Sequence, residues 1–200
     1  MRCKHCKDKF CPKFFNQKFC LEKDECIKAH SEKAKADKWK FEKKELTEKL
    51  MTHSDYCNLL QPIINEIARL IDKDAPCISS LRSEGKMAGG HRWSVGSNAN
   101  LRFNLLNIHQ QCFAENSYKS GNPDGYDHGL STLYGDEYID EVHELKLKYP
   151  LMKWSIQELI HAKSRASKIN KELKSLDMTY SHGVRIELRK KFNNIIGLYI

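Results

Sequence analysis

Residues 89–122 read GGHRWSVGSNANLRFNLLNIHQQCFAENSYKSGN. His91 follows two glycines. Asn107 comes sixteen residues later, at the head of NIHQQC, and Asn116 nine residues after that, in AENSYK. Hydrolysis of a phosphodiester needs a base to activate water and a cation to stabilise charge on the phosphate and the leaving oxygen. His91 is the candidate base, and Gly89 and Gly90 would let the backbone turn sharply before it. Asn116 stands where a helix could open and offers an oxygen ligand.

Around this stretch the chain divides by its glycines. All ten lie at or after Gly85, eight of them between Gly85 and Gly135, and residues 13–61 contain neither Gly nor Pro. This predicts helix on both sides of a turn-rich centre. Residues 1–28 form a cysteine- and lysine-rich head. Residues 29–73 form a helical linker, charged at first and then carrying an apolar stripe at Leu60, Ile63, Ile64, Ile67, Leu70 and Ile71. Pro62 should start a second helix there or kink the first. Residues 74–135 are the centre and 136–200 a helical tail. One apolar face of the tail runs Leu159, Ala162, Ala166, Ile169, Leu173, Leu176, and a second Val184, Leu188, Phe192, Ile195. No internal repeat stands out.

The head reads as a structural zinc site. Cys3 and Cys6 are separated as CKHC, and Cys20 and Cys26 follow after a loop. Four thiolates paired on turns suit tetrahedral zinc, and so short a segment would draw its folding energy mostly from metal. The spacing of the second pair is wide, so Cys11, His5 and His30 stand as substitutes. The head interleaves Phe10, Phe14, Phe15 and Phe19 with Lys9, Lys13 and Lys18. The lysines read as phosphate contacts. The rings read as a small core around the metal, with base stacking as the alternative.

The net charge of +8 and pI near 9.0 favour nucleic acid or an anionic surface as partner. No apolar run approaches the ~20 residues needed to span a bilayer, so no membrane span is expected. The N-terminus shows no secretory signal, and eight cysteines in an apparently intracellular chain suggest reduced thiols or metal ligands.

The order His91, Asn107, Cys112, Asn116, Lys119 resembles the HNH, or ββα-metal, nuclease motif. The pieces DAPCIS, GH-x-x-S-x-G, LRFN-x-x-N-x-H-x-QC and N-x-x-x-SGN resemble the phage NinG family of Rap-type recombination endonucleases. The cysteine head with FNQKFC, the Lys/Glu helix and the helical tail are also similar to that family, so the resemblance covers nearly the whole chain. It implies an α+β fold: a zinc-binding head, a long charged helix, and an HNH-like ββα-metal centre flanked by helices. It also implies metal-dependent cleavage of branched DNA, such as D-loops and Holliday-type junctions, in the cytoplasm of a bacterial host. By position, His91 would be the base, Asn107 would orient it or its loop, and Asn116 would hold a catalytic Mg or Mn ion. His109 would bind metal or phosphate, or serve as a structural histidine. Arg102 and Lys119 would contact DNA.

Two departures bear on catalysis. The family's paired CxxC knuckles around the centre survive as CISS and CFAE, leaving Cys77 and Cys112 as the remnant of a second zinc site, with Ser80 and Glu115 in the partners' places. Gly90 stands where many HNH enzymes carry an Asp or His ligand, and Glu84, Glu115 or His109 would have to help. Two other readings therefore stay open: a lapsed protein that still binds DNA junctions, and a zinc-headed module that binds phage or host recombination proteins. Symmetric junction cutting would call for a homodimer.

Overall fold

The computed structural model describes residues 1–199, the Glu48 side chain excepted. It is helix-rich α+β with one two-stranded sheet. The chain divides into two compact units, Met1–Met51 and Thr52 onward, so the division falls at 51/52 and the charged helix goes with the head.

In the first unit the head leads into helix α1 (Asp24–Leu50). Its sequence has no apolar face, and it is exposed along almost its whole length. Its order comes from good helix formers and from i,i+4 pairs such as Lys33–Asp37 and Lys38–Glu42.

The second unit is built on α2 (His53–Ile71). Thr52 starts this helix through a reciprocal capping box with Asp55. Pro62 lies inside α2, so of the two expectations for it the helix start is not met. The predicted stripe is the buried face: Leu60, Ile64, Ile67 and Ile71 are fully enclosed, while Ile63 and Leu70 are half-buried. Helix α2 packs against α6 (Ile156–Leu176), α7 (His182–Ile196) and the sheet. The sheet is β1 (Met87–His91) paired antiparallel with β2 (Ile108–Cys112), with His91 opposite Ile108 and Gly90 opposite His109. The loop between the strands carries 3-10 turns at Ala99–Leu101 and Leu105–Asn107. Then follow α3 (Phe113–Tyr118), α4 (Pro123–Tyr134) and α5 (Asp136–Lys148). Ile108 belongs to the core built on α2, α6 and α7; α4 and α5 build a second core with Ile78, Leu101 and Leu106.

Gly89 and Gly90 do not make a turn. Both lie within β1, and neither has positive φ. They are needed because neighbours come too close for a side chain. A Cβ on Gly89 would meet Asn65 of α2 at 2.8 Å, and one on Gly90 would run into the Gln111 side chain, its amide oxygen and its Cβ.

The tail shows a second departure. Leu176, Val184 and Ile195 are exposed. The buried face of α7 runs Arg185, Arg189, Phe192, Asn193 and Ile196, offset from the apolar face expected. Reading hydrophobic periodicity alone misplaced it because this face buries polar groups that serve the loop between the strands.

Candidate functional site

His91 closes β1 and is half-buried. Its Nε2 lies 3.0 Å from the Arg102 carbonyl oxygen and 3.3 Å from the Gln61 amide nitrogen. That amide nitrogen already donates to Asn65 at 2.7 Å. The pairing consistent with the nearer partner, a carbonyl that can only accept, is a proton on Nε2 donated to it, and the Gln61 amide nitrogen, itself a donor, then makes no bond to the ring. This pairing leaves Nδ1 as an unshared lone pair with no hydrogen-bond partner among the described residues. Burial lowers the His91 pKa below its ordinary value, offset by the hydrogen bond to Arg102 O; the Arg102 charge lowers it further. The ring is therefore neutral at pH 7.

Asn107 is wholly buried and ties the loop to the end of β1. Its Oδ1 accepts from Trp93 N at 2.8 Å, and its Nδ2 donates to the carbonyls of Trp93 at 3.0 Å and Leu101 at 3.1 Å. A short side chain with one acceptor and two donors is what such a three-way tie requires. Arg102 points back to α2, with Nε on Gln61 at 2.9 Å and a terminal nitrogen on Asn58 at 3.0 Å. Beside it a cavity of about 420 Å³ is lined by His53, Cys57, Met152, Lys153 and Trp154.

His109 goes elsewhere. It faces inward, with Nδ1 3.0 Å from the Tyr126 hydroxyl and Nε2 3.0 Å from that of Tyr138. Tyr126 donates to the Gly90 carbonyl at 3.0 Å, so the His109 Nδ1–H donates to Tyr126 and Nε2 accepts from Tyr138. Burial holds His109 neutral, well below its ordinary pKa. Enclosed in this way, it cannot reach phosphate or a metal at His91. Its chain of hydroxyls braces the Gly90 backbone next to His91. Alternation along β2 sends His109 to the face opposite Ile108.

Asn116 is half-buried on α3 and makes no side-chain hydrogen bond among the described residues. Lys119 is exposed and pairs with Glu115 at 3.0 Å, and Asn122 donates to the other Glu115 oxygen at 2.9 Å. Lys119 and Asn122 hold that carboxyl below its usual range.

Four residues around the strand pair were missed from sequence. Arg92 makes a two-pronged ion pair with Asp127 of α4, and His143 of α5 reaches the same carboxylate at 3.0 Å. Burial would push Asp127 up, but Arg92 and His143 outweigh it and hold its pKa down. Gln111 is fully buried, its amide nitrogen bound to Ser79 and to the Gly121 carbonyl. Its oxygen, beside Gly90, has no donor. Adjacency to His91 could have flagged Arg92. No local pattern marks Asp127, because only the fold brings α4 to this edge.

At the second pair of cysteines, Cys112 N donates to Cys77 Sγ at 3.0 Å, and Ser80 Oγ lies 3.6 Å from Cys112 Sγ. The two half-knuckles meet through hydrogen bonds. Burial raises the Cys77 pKa, but Ser80 and the Cys112 amide outweigh it and leave the thiol lowered. Among the described residues, three or more metal-binding side chains converge only in the head, where the ligand atoms of Cys3, Cys6, Cys20 and Cys26 lie within 4.8 Å of one another. Cys3 and Cys26 sulfurs are 3.7 Å apart and those of Cys6 and Cys20 3.9 Å. Zn–S bonds of about 2.3 Å in a tetrahedron set sulfur–sulfur edges near ~3.8 Å. These four thiols could hold a zinc ion. Cys11 is exposed and outside the cluster. Phe10 and Phe19 pack on the thiols, whereas Phe14 and Phe15 are exposed, so only half of the rings form the expected core. Lys9, Lys13 and Lys18 are exposed.

No helix among the described residues is long and apolar enough to cross a membrane. No solved structure matches the chain. Protein ninG of Escherichia phage lambda is 33% identical over 193 residues, covering 87% of this chain and 93% of that protein. Protein ninG of Escherichia phage 933W is 32% identical over 191 residues, covering 87% and 94%. Protein ninG of Salmonella phage P22 is 32% identical over 192 residues, covering 86% and 93%. The family model described as Bacteriophage Lambda NinG protein matches residues 1–177, and the chain belongs to that family.

Proposed function

We propose that this protein is a metal-dependent endonuclease that hydrolyses phosphodiesters in branched DNA such as D-loops and Holliday-type junctions. The observation that carries the reading is the state of His91: Nε2–H is committed to the Arg102 carbonyl, Nδ1 is unshared, and the ring is neutral at pH 7. That is the form a general base must have before it takes a proton from water. The Arg102 carbonyl would then stabilise the imidazolium that forms. Asn107 holds the Trp93 and Leu101 backbone, and so keeps the loop that carries Arg102 in register with the end of β1.

Asn116 would hold the divalent ion through its uncommitted side-chain oxygen. When bound, the ion supplies positive charge at the phosphate and the leaving oxygen. Arg102 and Lys119 would contact the strand, and Lys9, Lys13 and Lys18 of the head would add phosphate contacts.

A second reading, a junction-binding protein without cleavage, is favoured by one feature: Gly90 offers no ligand before the base. The test is cleavage of a labelled D-loop or four-way junction with Mg or Mn, with binding followed on the same samples. Under the nuclease reading His91→Ala loses cleavage by at least ~100-fold and binds as the wild type does. Tight binding without cleavage by either protein would sink the nuclease reading and leave the second.

A further inference from the structure

Phe15 is 95% exposed and its neighbour Phe14 53% exposed, on a loop that is not slack. Buried Gln17 closes the loop: its carbonyl oxygen accepts from Lys13 N at 2.7 Å and its amide nitrogen donates to Phe19 O at 2.7 Å. Asn16 takes the left-handed turn that this closure needs, at φ 64°. The two other rings of the head, Phe10 and Phe19, do face the thiols. The loop thus holds one aromatic ring in solvent while the core around the cysteines is complete without it.

The surroundings are cationic. Residues 1–23 contain seven Lys and Arg against two Asp and Glu, and one of those two, Asp8, is taken by Lys23 at 2.6 Å. Lys13 and Lys18 flank the rings in exposed positions. Beside them a cavity of about 210 Å³ is walled by Phe14 and bordered by Lys18, His30 and the Lys33–Asp37 pair. An exposed ring among cations matches a strand that presents an apolar π-face and regularly spaced negative charge. Unpaired nucleotides do so; a continuous duplex keeps its base faces stacked.

We infer that the loop at residues 13–18 is a stacking platform for unpaired bases, with Phe15 taking a base and Lys13 and Lys18 the flanking phosphates. The inference rests on the DNA-directed reading above and narrows its substrate to branched DNA with a single-stranded segment next to the junction.

The experiment uses the full-length zinc-loaded protein without added Mg. It compares wild type, Phe15→Ala and Lys13→Ala/Lys18→Ala. The probes are a fluorescein-labelled oligothymidine, an abasic strand of the same length and a blunt duplex of the same length. Phe15 is exposed, so its removal leaves the fold alone, and zinc content checks this. Stacking is worth about 1–3 kcal/mol per base, so Phe15→Ala should weaken oligothymidine binding by about 5- to 150-fold. It should leave the abasic strand, the duplex and the salt dependence unchanged. The lysine variant should weaken all three probes and flatten the salt slope. Wild-type affinity of Phe15→Ala for oligothymidine overturns the inference and turns the ring over to a protein partner. Equal losses on all probes, or no binding by the wild type, overturn it too. A Phe15-dependent complex in a protein that never cleaves supports the inference while the nuclease reading fails.

Discussion

At the scale of single residues, the two histidines of the hairpin have opposite fates from one physical cause. Both are held neutral by burial, and both have pKa values lowered from the ordinary one. His91 keeps one nitrogen unshared at the sheet edge, whereas His109 spends both on Tyr126 and Tyr138. The sequence offers both as H in similar polar runs, so sequence alone could nominate the pair but not separate them. A folded-state pKa below the unfolded value means the unfolded chain binds more protons between the two. Stability is then complete above the unfolded value of about 6.5 and is lost as pH falls toward the folded value. The unfolding free energy should therefore fall between pH 7 and pH 5, with the fully buried His109 contributing up to ~1.4 kcal/mol per pH unit. Urea melts at the two pH values check this. His109→Gln should be less stable at pH 7 and lose less on acidification. An equal acid loss in the variant would mean His109 does not set the slope.

At the scale of elements, what could be read and what could not follow from what each element buries. Helix α2 was legible because it buries hydrocarbon at helical spacing: Leu60, Ile64, Ile67 and Ile71. The thiols of the head were legible because few arrangements of four cysteines suit a metal. Helix α7 was misread because its inner face is polar. Arg189 is fully buried and binds Asp72 at 2.6 Å and Leu105 O at 3.1 Å, and Asn193 accepts from Leu105 N at 2.9 Å. These bonds hold the segment that leads into Asn107, and α7 lies beyond the residues matched by the family model. Just past the helix, the Tyr199 hydroxyl accepts from Phe103 N at 3.1 Å and donates to Asn100 O at 2.9 Å. It thus grips both sides of Arg102, whose carbonyl fixes the His91 proton. Under the nuclease reading proposed above, Tyr199 would be a positioning residue for His91. Tyr199→Phe keeps the ring that packs on Trp154 and Tyr149 and removes only the hydroxyl. It should cost about 1 kcal/mol of stability and lower kcat at unchanged KM. The His91 ¹⁵N resonances should shift away from the Nε2–H tautomer, a signal that a merely structural tyrosine would leave in place.

For the molecule as a whole, the charge is unevenly shared. Residues 1–51 hold 15 Lys and Arg against 9 Asp and Glu, which is +6 of the total +8; residues 52–200 hold 19 against 17, which is +2. The unit that holds most of the net positive charge is thus not the unit that carries His91. It is also the unit with the smaller core. Its buried apolar groups are Cys3, Phe10, Phe19, Cys20 and Cys26, with Cys6, Leu21 and Ala29 packed against them. So few residues do not offset the entropy of ordering the head, and metal would supply most of what is missing. The second unit has two clusters of its own, built on α2 with α6 and α7 and on α4 with α5. Removal of zinc by a chelator under reducing conditions should therefore act on one unit only. Limited proteolysis should open residues 1–51 and leave a protected fragment beginning near Thr52. The melting transition of that fragment should not move, and DNA binding should weaken as the ordered lysines of the head are lost. Added zinc should restore both protection and binding. A head that stays protected without metal would show that its thiols and rings suffice alone. Loss of protection throughout the chain would show that the two units fold as one.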